Sequence, residues 1–299
     1  MSKFQEMSSF VAVVEAGSFV GAADATGMSK AAVSRHVGEL EQRLDVRLLQ
    51  RTTRRLSLTD EGRIFFERAK DLLSALDEAE SELTSRSGEP SGLIRVNAPL
   101  TFGVLHLAPL WGPFAAANPK VALDITLSDR VVDLIDEGYD LAVRITTMPS
   151  SMLVTRKLAS TRMVLCASPR YLKRHGKPKQ PHELAGHSVI SYTYWSTGDE
   201  WRFTGPKGAV SVRTKSRIHT NNGDTCRRAA LAHQGVILQP DFLIRDDLLR
   251  GDLVELMPAY RSIDLDIHAV WPSRKHLPLK TRRLIDFLAD AFRSPGWTS

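Results

Sequence analysis

The segment SRSGEPSG, residues 85–92, constrains the fold most strongly, because it separates two different residue patterns. Before it, apolar residues recur at the three- and four-residue spacing of amphipathic helices. After it, strand-like runs alternate with helix-like runs. Serine, glycine and proline together are typical of a linker. The sequence therefore predicts differently built units, which suits 299 residues because a single hydrophobic core stops growing at about 250–300 residues.

Three helices are predicted between residues 4 and 44. The first is marked by the helical spacing of Phe4, Met7, Phe10, Val11 and Val14. Gly17 can end it in a left-handed conformation, and Ser18 can accept hydrogen bonds from the first amides of the helix FVGAADAT. Ser29 is expected to cap the third helix. The third helix is held to its neighbours by Val33, Val37, Leu40 and Leu44. Three helices with tight glycine turns predict a helix-turn-helix.

The first turns of the third helix carry small and basic residues away from that apolar face. In helix-turn-helix proteins, this end of the recognition helix faces base edges in the major groove of DNA. The candidate base-reading residues are Ser29, Lys30, Ala31, Ala32, Ser34 and Arg35. The alternative is an ordinary solvated helix face.

Two extended pieces, LLQRT and RRLSLT, follow and predict a small hairpin, or wing. Residues 30–55 hold seven Lys and Arg against three Asp and Glu, although residues 1–90 are net −3. Basic residues on a wing can hold phosphates or enter the minor groove. The candidates for this role are Arg51, Thr53, Arg54 and Arg55.

A long helix is predicted from Thr59 to about Arg86. Apolar residues alternate at spacings of four and three, which is the seam of a coiled coil. The predicted dimer contacts are Phe65, Ala69, Leu72, Leu76, Ala79 and Leu83. With only about three heptads, the seam could instead pack on its own domain.

Beyond the linker, strands and helices alternate, and the βαβαβ rhythm predicts a parallel sheet with helical crossovers. The predicted elements include a helix at RVVDLIDEG, a strand at MVLCAS and one strand at AVSVRTKSRIHT. The whole chain is predicted to be an α+β multidomain protein. Its predicted domains are a winged helix-turn-helix at 1–58, a linker helix and hinge at 59–90, and a two-lobed α/β domain at 91–299. Lobe I would span about 91–162 and 269–299, and lobe II about 163–268.

A ligand cleft is expected between the lobes, where parallel strands end and crossover helices begin. The candidate ligand residues are Pro99, Leu100, Thr101, Ser128, Asp129, Arg144, Thr146, Trp201, Phe203, Asn222 and Asp224. Thr101 could share a helix N-terminus with an anion. Structural alternatives stay open, since Thr101 and Asp224 could only cap helices and Arg144 could pair with Asp129. Trp201 and Phe203 could instead pack in the core.

Other function classes find little support in the sequence. A G-x-S-x-G elbow, a phosphate-binding glycine loop and a His-x-x-x-His pair do not occur, so an enzyme is not favoured. Cys166 and Cys226 are too few for a disulfide framework or a zinc site and are expected to be buried thiols. We therefore expect no cofactor and no metal. Because no window approaches the roughly 20 continuous apolar residues of a membrane span and MSKFQEMSSF lacks a signal-peptide core, we also expect no membrane contact and a cytoplasmic location. A solute-binding module whose first helices only dimerise remains the second alternative.

These motifs together resemble the LysR-type transcriptional regulators over nearly the whole chain. The resemblance rests on the Gly-Ser-Phe turn, VSRHV and its following Leu-Glu, Leu-Thr-x-x-Gly, and the later runs APLTFG, YDLAVRI and GVILQP. Asp45, Leu49 and Gln239 depart from the family pattern; Asp45 tolerates a left-handed turn, and Gln239 could face the cleft or cap a strand.

The resemblance implies a periplasmic-binding-protein-like effector domain and a small-molecule effector, with a carboxylate or an aromatic compound as the candidate class. It also implies homodimers paired through linker helices, commonly tetramers, on a two-fold-related promoter site in double-stranded DNA. RNA polymerase is a further candidate partner.

Overall fold

The computed structural model describes residues 2–51, 56–84, 89–147, 153–195, 198–272 and 277–297. The chain divides into two compact units, Met1–Gly88 and Glu89–Ser299.

The first unit combines helices with a small antiparallel hairpin. Its elements are α1 (Lys3–Ala16), α2 (Phe19–Thr26), α3 (Lys30–Leu44), β1 (Leu49–Arg51), β2 (Leu56–Leu58) and α4 (Asp60–Thr84). Strands β1 and β2 pair antiparallel, with Leu49 opposite Leu58. This arrangement is the predicted winged helix-turn-helix with a long helix after the wing.

Local signals fix the helix ends as the sequence predicts. Gly17, Gly27 and Asp45 adopt left-handed conformations at the ends of α1, α2 and α3. The side chain of Ser18 accepts a hydrogen bond from the Gly21 amide at 3.0 Å. Asp45, at φ 54°, therefore fulfils the role usually given to glycine.

The buried face of α1 differs from the prediction. Phe4 is exposed, whereas Glu6 and Ser9 are buried. Ser9 Oγ and His36 Nδ1 are 2.8 Å apart, and Glu6 forms an ion pair with Arg43 at 2.7 Å. Polar groups are therefore accepted between α1 and α3 because each has a partner.

The second unit alternates strands and helices. Its elements are β3 (Gly92–Ala98), α5 (Leu100–Phe102), a π-helical segment (Gly103–Leu107), α6 (Ala108–Ala117), β4 (Val121–Leu127), β5 (Leu141–Thr146), β6 (Leu153–Ala167), α7 (Pro169–His175), a 3-10 helix (Pro181–Gly186), β7 (Ser188–Tyr192), β8 (Glu200–Gly205), β9 (Gly208–Arg213), β10 (Lys215–Thr220), α8 (Gly223–Leu231), β11 (Ile237–Pro240), α9 (Asp241–Arg250), β12 (Val254–Glu255), β13 (Asp264–Pro272) and α10 (Leu279–Ala291).

One large sheet runs through both lobes in the order β11-β6-β13-β5-β3-β4, with β12 also paired to β6. β3 is parallel to β4 and β5, whereas β13 is antiparallel to β5 and β6. Leu158 and Ala159 of β6 pack in the core of lobe I, and Met163 and Leu165 pack in the core of lobe II. The strand β6 therefore physically joins the two lobes.

The predicted helix over 130–138 is wrong. Residues 134–138 form turns, because the carboxylate of Asp133 accepts hydrogen bonds from the amides of Ile135 and Asp136 at 2.9 and 3.1 Å.

Two strand predictions also change. β6 begins at Leu153, well before the predicted run MVLCAS, because β13 pairs with it from Pro272 opposite Leu153 to Asp264 opposite Arg162. The predicted single strand at 209–220 is two strands, β9 and β10, separated at buried Thr214.

Length and composition alone would allow the segment Leu100–Ala117 to cross a membrane. In the effector unit, Phe102, Leu107 and Phe114 from this segment are buried in the core of lobe I. Core packing therefore accounts for these three residues, whereas Leu100, Val104 and Leu105 are exposed.

Candidate functional site

The N-terminal end of α3 is the first candidate site. Ser29 caps the helix by accepting a hydrogen bond from the Ala32 amide at 3.2 Å. Lys30, Ala31 and Arg35 are exposed beyond this cap, and Ser34 is half-buried. The Arg35 guanidinium has an exposed carboxylate, that of Glu39, 3.9 Å away, which is a weak surface pair.

The buried face of the same helix is apolar. Val33, Val37 and Leu40 are fully buried against α1 and α2. Ala32, one of the predicted base-reading residues, is half-buried. The helix therefore separates packing residues from a surface free to approach a ligand closely.

Side chains that the sequence reading did not single out fix the wing to this helix. The carboxylate of Glu41 in α3 accepts hydrogen bonds from the amides of Leu48 and Leu49 at 2.8 and 3.0 Å. The Thr59 hydroxyl donates to the Arg47 carbonyl at 2.7 Å and accepts from the Gly62 amide at 2.9 Å. These contacts connect α3, the wing and α4.

A close approach of two backbones explains the glycine of the Leu-Thr-x-x-Gly motif. A Cβ atom at Gly62 would overlap the backbone carbonyl of Leu48. The first turn of α4 can therefore lie against the chain that leads into β1 only when residue 62 is glycine.

The basic residues predicted for the wing fall largely outside the described part of the chain. Thr53, Arg54 and Arg55 lie outside the described residues, and the structure describes the backbone of Arg51 but not its side chain. Their role in DNA contact stays a prediction.

The predicted dimer seam of α4 divides into two parts. Ala69 is buried and Phe65 is partly buried in the core of the first unit, where the Phe65 and Phe10 rings are 5.7 Å apart. Ala69 is therefore not available to a partner helix, whereas the dimer contact of Phe65 stays a prediction. Leu72 and Leu76 remain 59% and 39% exposed. The side chains of Ala79 and Leu83 lie outside the described set.

The effector unit contains a cavity of about 420 Å³ between its lobes. Six of the predicted ligand residues line it: Pro99, Thr101, Ser128, Asp129, Arg144 and Thr146. Its volume lies in the range typical of small-molecule sites. Apolar side chains from both lobes, including Phe102, Leu134, Leu238 and Phe242, complete the wall.

The first amide of α5, where an anion was expected to bind, is hydrogen-bonded to a carboxylate of the protein itself, that of Asp129. Asp129 Oδ1 accepts a hydrogen bond from the Leu100 amide at 2.9 Å. Burial raises the pKa of Asp129, while the hydrogen bonds from Leu100 and Asn222 act in the opposite direction. Thr101 lies inside the first turn and does not cap it. The expected capping role of Thr101 is therefore wrong, whereas its contact with an anion stays a prediction.

The lobes are connected beside this carboxylate. Asn222 caps α8 of lobe II by accepting from the Thr225 amide at 2.9 Å. Its Nδ2 donates to Thr101 Oγ1 in lobe I at 3.3 Å. Leu100 and Asn222 thus act next to the cavity rather than in its lining.

Two arginines line the cavity, and Arg130 pairs with Glu137 at 2.7 Å, which leaves Arg144 as the cation without a carboxylate partner among the described residues. Arg144 Nη1 donates to Asn97 Oδ1 at 2.6 Å, so the predicted alternative pairing with Asp129 is not the arrangement found. Its Nη2 is buried without a hydrogen-bond partner among the described residues. Burial lowers the pKa of Arg144 below its usual range, although an arginine stays charged. A buried, unpaired guanidinium N–H is suited to an acceptor oxygen of a ligand.

Three predicted ligand residues belong elsewhere. Trp201 and Phe203 alternate inward on β8 and are buried in the core of lobe II. Asp224 pairs with Arg227 at 3.0 Å and with Arg228 at 3.5 Å. Trp201 and Phe203 therefore contribute to the core of lobe II, and Asp224 contributes to ion pairs on α8.

The aromatic wall of the cavity comes instead from Tyr192, Tyr194 and Trp195. The run SYTYW at the end of β7 is the sequence signal that could have indicated it. Burial, with Asp129 nearby, raises the pKa of Tyr192 above its usual range, so its hydroxyl stays protonated and can donate a hydrogen bond. Gln239 also lines the cavity, which resolves its predicted alternatives in favour of the cleft.

The two cysteines and the possible metal ligands were also candidates for reactive sites. Cys166 and Cys226 are buried, as predicted, and burial raises the pKa of both thiols, that of Cys226 to about 12. A thiol with so high a pKa is a poor nucleophile. Among the described residues, histidine, cysteine and carboxylate side chains form no group of three that could hold a metal ion.

Comparisons with known proteins match both units. Residues 4–63 match the model of the bacterial regulatory helix-turn-helix protein, lysR family, and residues 87–293 match the LysR substrate binding domain. The regulator CrgA of Neisseria meningitidis is 35% identical over 96% of this chain and 96% of its own length. The regulator PtxR of Pseudomonas aeruginosa is 37% identical over 94% of this chain and 90% of its own.

Solved structures agree over the full length. The CrgA structure has a TM-score of 0.62 at 34% identity and covers 96% of this chain and 98% of its own. The Vibrio cholerae virulence activator AphB has a TM-score of 0.63 at 29% identity, covering 97% and 99%.

A winged helix-turn-helix joined to a two-lobed domain with an amphipathic cavity defines a DNA-binding regulator controlled by a small molecule. Both family models fit this description and together match most of the chain. The protein belongs to the LysR family of transcriptional regulators, which are not enzymes.

Proposed function

We propose that this regulator recognises a two-fold-related promoter site with the first turns of α3. Ser29, Lys30, Ala31, Ala32, Ser34 and Arg35 meet base edges, and Arg51, Thr53, Arg54 and Arg55 hold phosphates or the minor groove. The observation that supports this proposal most directly is that the first turns of α3 carry small, exposed side chains while its opposite face is apolar and buried. Small side chains allow the helix backbone to approach the floor of the major groove.

The assembly proposed is a homodimer through α4, centred on exposed Leu72 and Leu76 and continuing through Ala79 and Leu83. Two large apolar side chains four residues apart on a solvent-exposed helix favour a partner helix. The family resemblance supports further association into a tetramer, contact with RNA polymerase and action in the cytoplasm.

The proposed effector is an amphipathic anion, such as an aromatic carboxylate. The observation that supports it is the unpartnered Nη2 of Arg144 in a cavity whose wall includes Tyr192, Tyr194 and Trp195. Guanidinium groups bind carboxylates through two parallel hydrogen bonds. Aromatic side chains supply the apolar surface for the rest of the molecule. Because Asp129 already meets the first helix amide, the anionic group belongs at Arg144.

The DNA proposal is tested with Arg35→Ala and Arg54→Ala on matched and scrambled duplexes from the protein's own upstream DNA. Arg35→Ala should relax sequence preference by about 1–3 kcal/mol for a lost bidentate base contact. Arg54→Ala should weaken all duplexes alike and flatten the salt slope by about one unit. Equal effects of both variants on both duplexes would refute this division of roles.

The effector proposal is tested by thermal unfolding of the full chain with small aromatic carboxylates and their neutral amides. A binding carboxylate raises the unfolding temperature, since it stabilises only the folded state. Arg144→Gln should abolish this shift, and the exposed substitution Arg282→Gln should preserve it. Equal shifts from acid and amide, or a shift that survives Arg144→Gln, would contradict the assigned anion site.

A further inference from the structure

The net charge of the chain is concentrated in one part of lobe II. Residues 168–220 contain ten Lys and Arg against three Asp and Glu, a net of +7, while the whole chain is +6. All other residues together therefore carry a net charge of −1. Such a concentration is the electrostatic footprint of a polyanion-binding surface.

The cations are exposed and come from three neighbouring elements. Helix α7 and the turn after it present Arg170, Lys173, Arg174, Lys177 and Lys179 to solvent. The strands β9 and β10 and the turn before them add Lys207, Arg213, Lys215 and Arg217, all exposed. We call these nine residues the lobe II basic surface.

Contacts in the lobe connect these elements. Tyr171 of α7 accepts a hydrogen bond from the Ser188 amide at 2.9 Å, and Ser188 pairs in register with Lys215 of β10. Along β10, Lys215 and Arg217 are exposed and Ser216 is half-buried, and the pairing with β7 shifts register between Ser216 and Ile218. The start of β10 therefore lies beside α7.

Protein carboxylates compensate this surface only weakly: Glu200 lies opposite Arg213 in the β8–β9 pair, and its charge interacts with that arginine. Within the described residues, none of the nine cations has a carboxylate within salt-bridge distance; of the ten bases in 168–220, Arg202 alone does, with Glu200 at 3.2 Å. Elsewhere in the same domain, arginines pair closely, as Arg227 does with Asp247 and Arg162 with Glu255. Paired arginines stabilise the fold, whereas an unpaired cluster costs repulsion unless an external anion is present.

The surface also lacks the features of a protein-protein interface. Among exposed large hydrophobic residues in the described chain, residues 168–220 contribute Tyr194, which lines the effector cavity. Protein partners usually need buried aromatic or aliphatic anchors. Phosphate contacts need cations and carry no sequence information directly.

We propose that the lobe II basic surface binds the phosphate backbone of duplex DNA flanking the site that α3 reads. This inference rests on the proposed function, because the same DNA must be held by the winged helix-turn-helix. The surface contributes sequence-independent affinity and increases the length of DNA engaged by each subunit. Movement of lobe II around the effector cavity would then change how the flanking DNA is held.

The test compares a double variant of the surface, Arg174→Gln/Arg217→Gln, with a matched control, Arg282→Gln/Arg283→Gln. Both remove two exposed arginines, and the control pair lies on α10 in lobe I. Each full-length protein is titrated at several salt concentrations with a short duplex limited to the recognition site and a long duplex with extended flanks.

We expect the surface variant to flatten the slope of log affinity against log salt on the long duplex. The loss should be about 0.9 per lost phosphate contact, or about 1.8 for each lobe II that contacts DNA. The short duplex should be bound equally by all three proteins. The control should behave as the wild type on both duplexes.

Unchanged slopes on the long duplex would overturn this inference and leave the proposed function intact. Equal losses on short and long duplexes, or the same loss in the control, would overturn it by showing a general charge effect. A wild-type protein that binds neither duplex would overturn the proposed function together with this inference. Thermal unfolding of each variant verifies that the exposed substitutions leave the fold unchanged.

Discussion

The carboxylate of Glu41 holds the wing to α3, so Glu41→Ala should loosen the wing from that helix. Both amides that Glu41 binds belong to buried residues, Leu48 and Leu49. A hydrogen bond to a charged group contributes about 1.5–3 kcal/mol, and half-burial of Glu41 places each bond at the low end. Two such bonds imply that Glu41→Ala destabilises the wing by about 3 kcal/mol, roughly a hundredfold in its opening equilibrium at 1.4 kcal/mol per tenfold.

The assay is amide hydrogen exchange of the segment that contains these two amides, measured in the full-length protein. Both bonds end on the same oxygen, Oε1, which an amide side chain can also supply. Glu41→Gln should therefore retain both bonds with a neutral acceptor and lose about half the effect. Glu39→Ala, two residues away on the same helix, removes an exposed carboxylate that has only a weak partner. Exchange in Glu41→Ala no faster than in Glu39→Ala would refute the reasoning.

Three further predictions concern packing, a buried charge and pH. Gly62→Ala should destabilise the first unit despite better helix propensity, because the methyl group overlaps the wing backbone, whereas Gly38→Ala, with open space, should stabilise it by about 0.5–1 kcal/mol in urea unfolding. Arg227→Met should destabilise the effector unit by about 1–3 kcal/mol, because the buried Asp247 carboxylate loses its contacts with Arg227 and keeps the ion pair with Arg250. Arg227→Met/Asp247→Leu should recover part of this loss. Burial lowers the pKa of His106 below its ordinary 6.5, so its contribution to stability is complete above pH 6.5 and falls as pH drops below it. His106→Phe should flatten the fall of unfolding temperature with acid pH, and an unchanged pH profile would contradict this assignment.

Local chemistry explains why the first unit could be predicted closely. Glycine turns, serine caps and three-four apolar spacing act within a few residues, so Gly17, Ser18 and Ser29 mark helix ends before any tertiary contact forms. The basic wing and the exposed tip of α3 follow from the same local pattern. The family resemblance rests on these residues for the same reason.

The effector site was predicted less completely. Strand ends located Ser128, Arg144 and Thr146 at the cavity, because side chains at the ends of neighbouring strands meet there. The aromatic residues Tyr192 and Trp195 were missed, since their position depends on how lobe II packs on β6. Trp201 was misplaced for the same reason.

The sequence by itself determined the helices of the first unit and their ends, because glycine turns and serine caps act between residues close in the chain. The class of regulator followed from the family resemblance that these residues carry. Tertiary structure decided which apolar residues of α4 belong to its own domain, where β6 begins, and that Asp129 meets the first amide of α5. These outcomes depend on competition between distant groups for the same surface or hydrogen bond, and such competition is resolved only when the chain is packed.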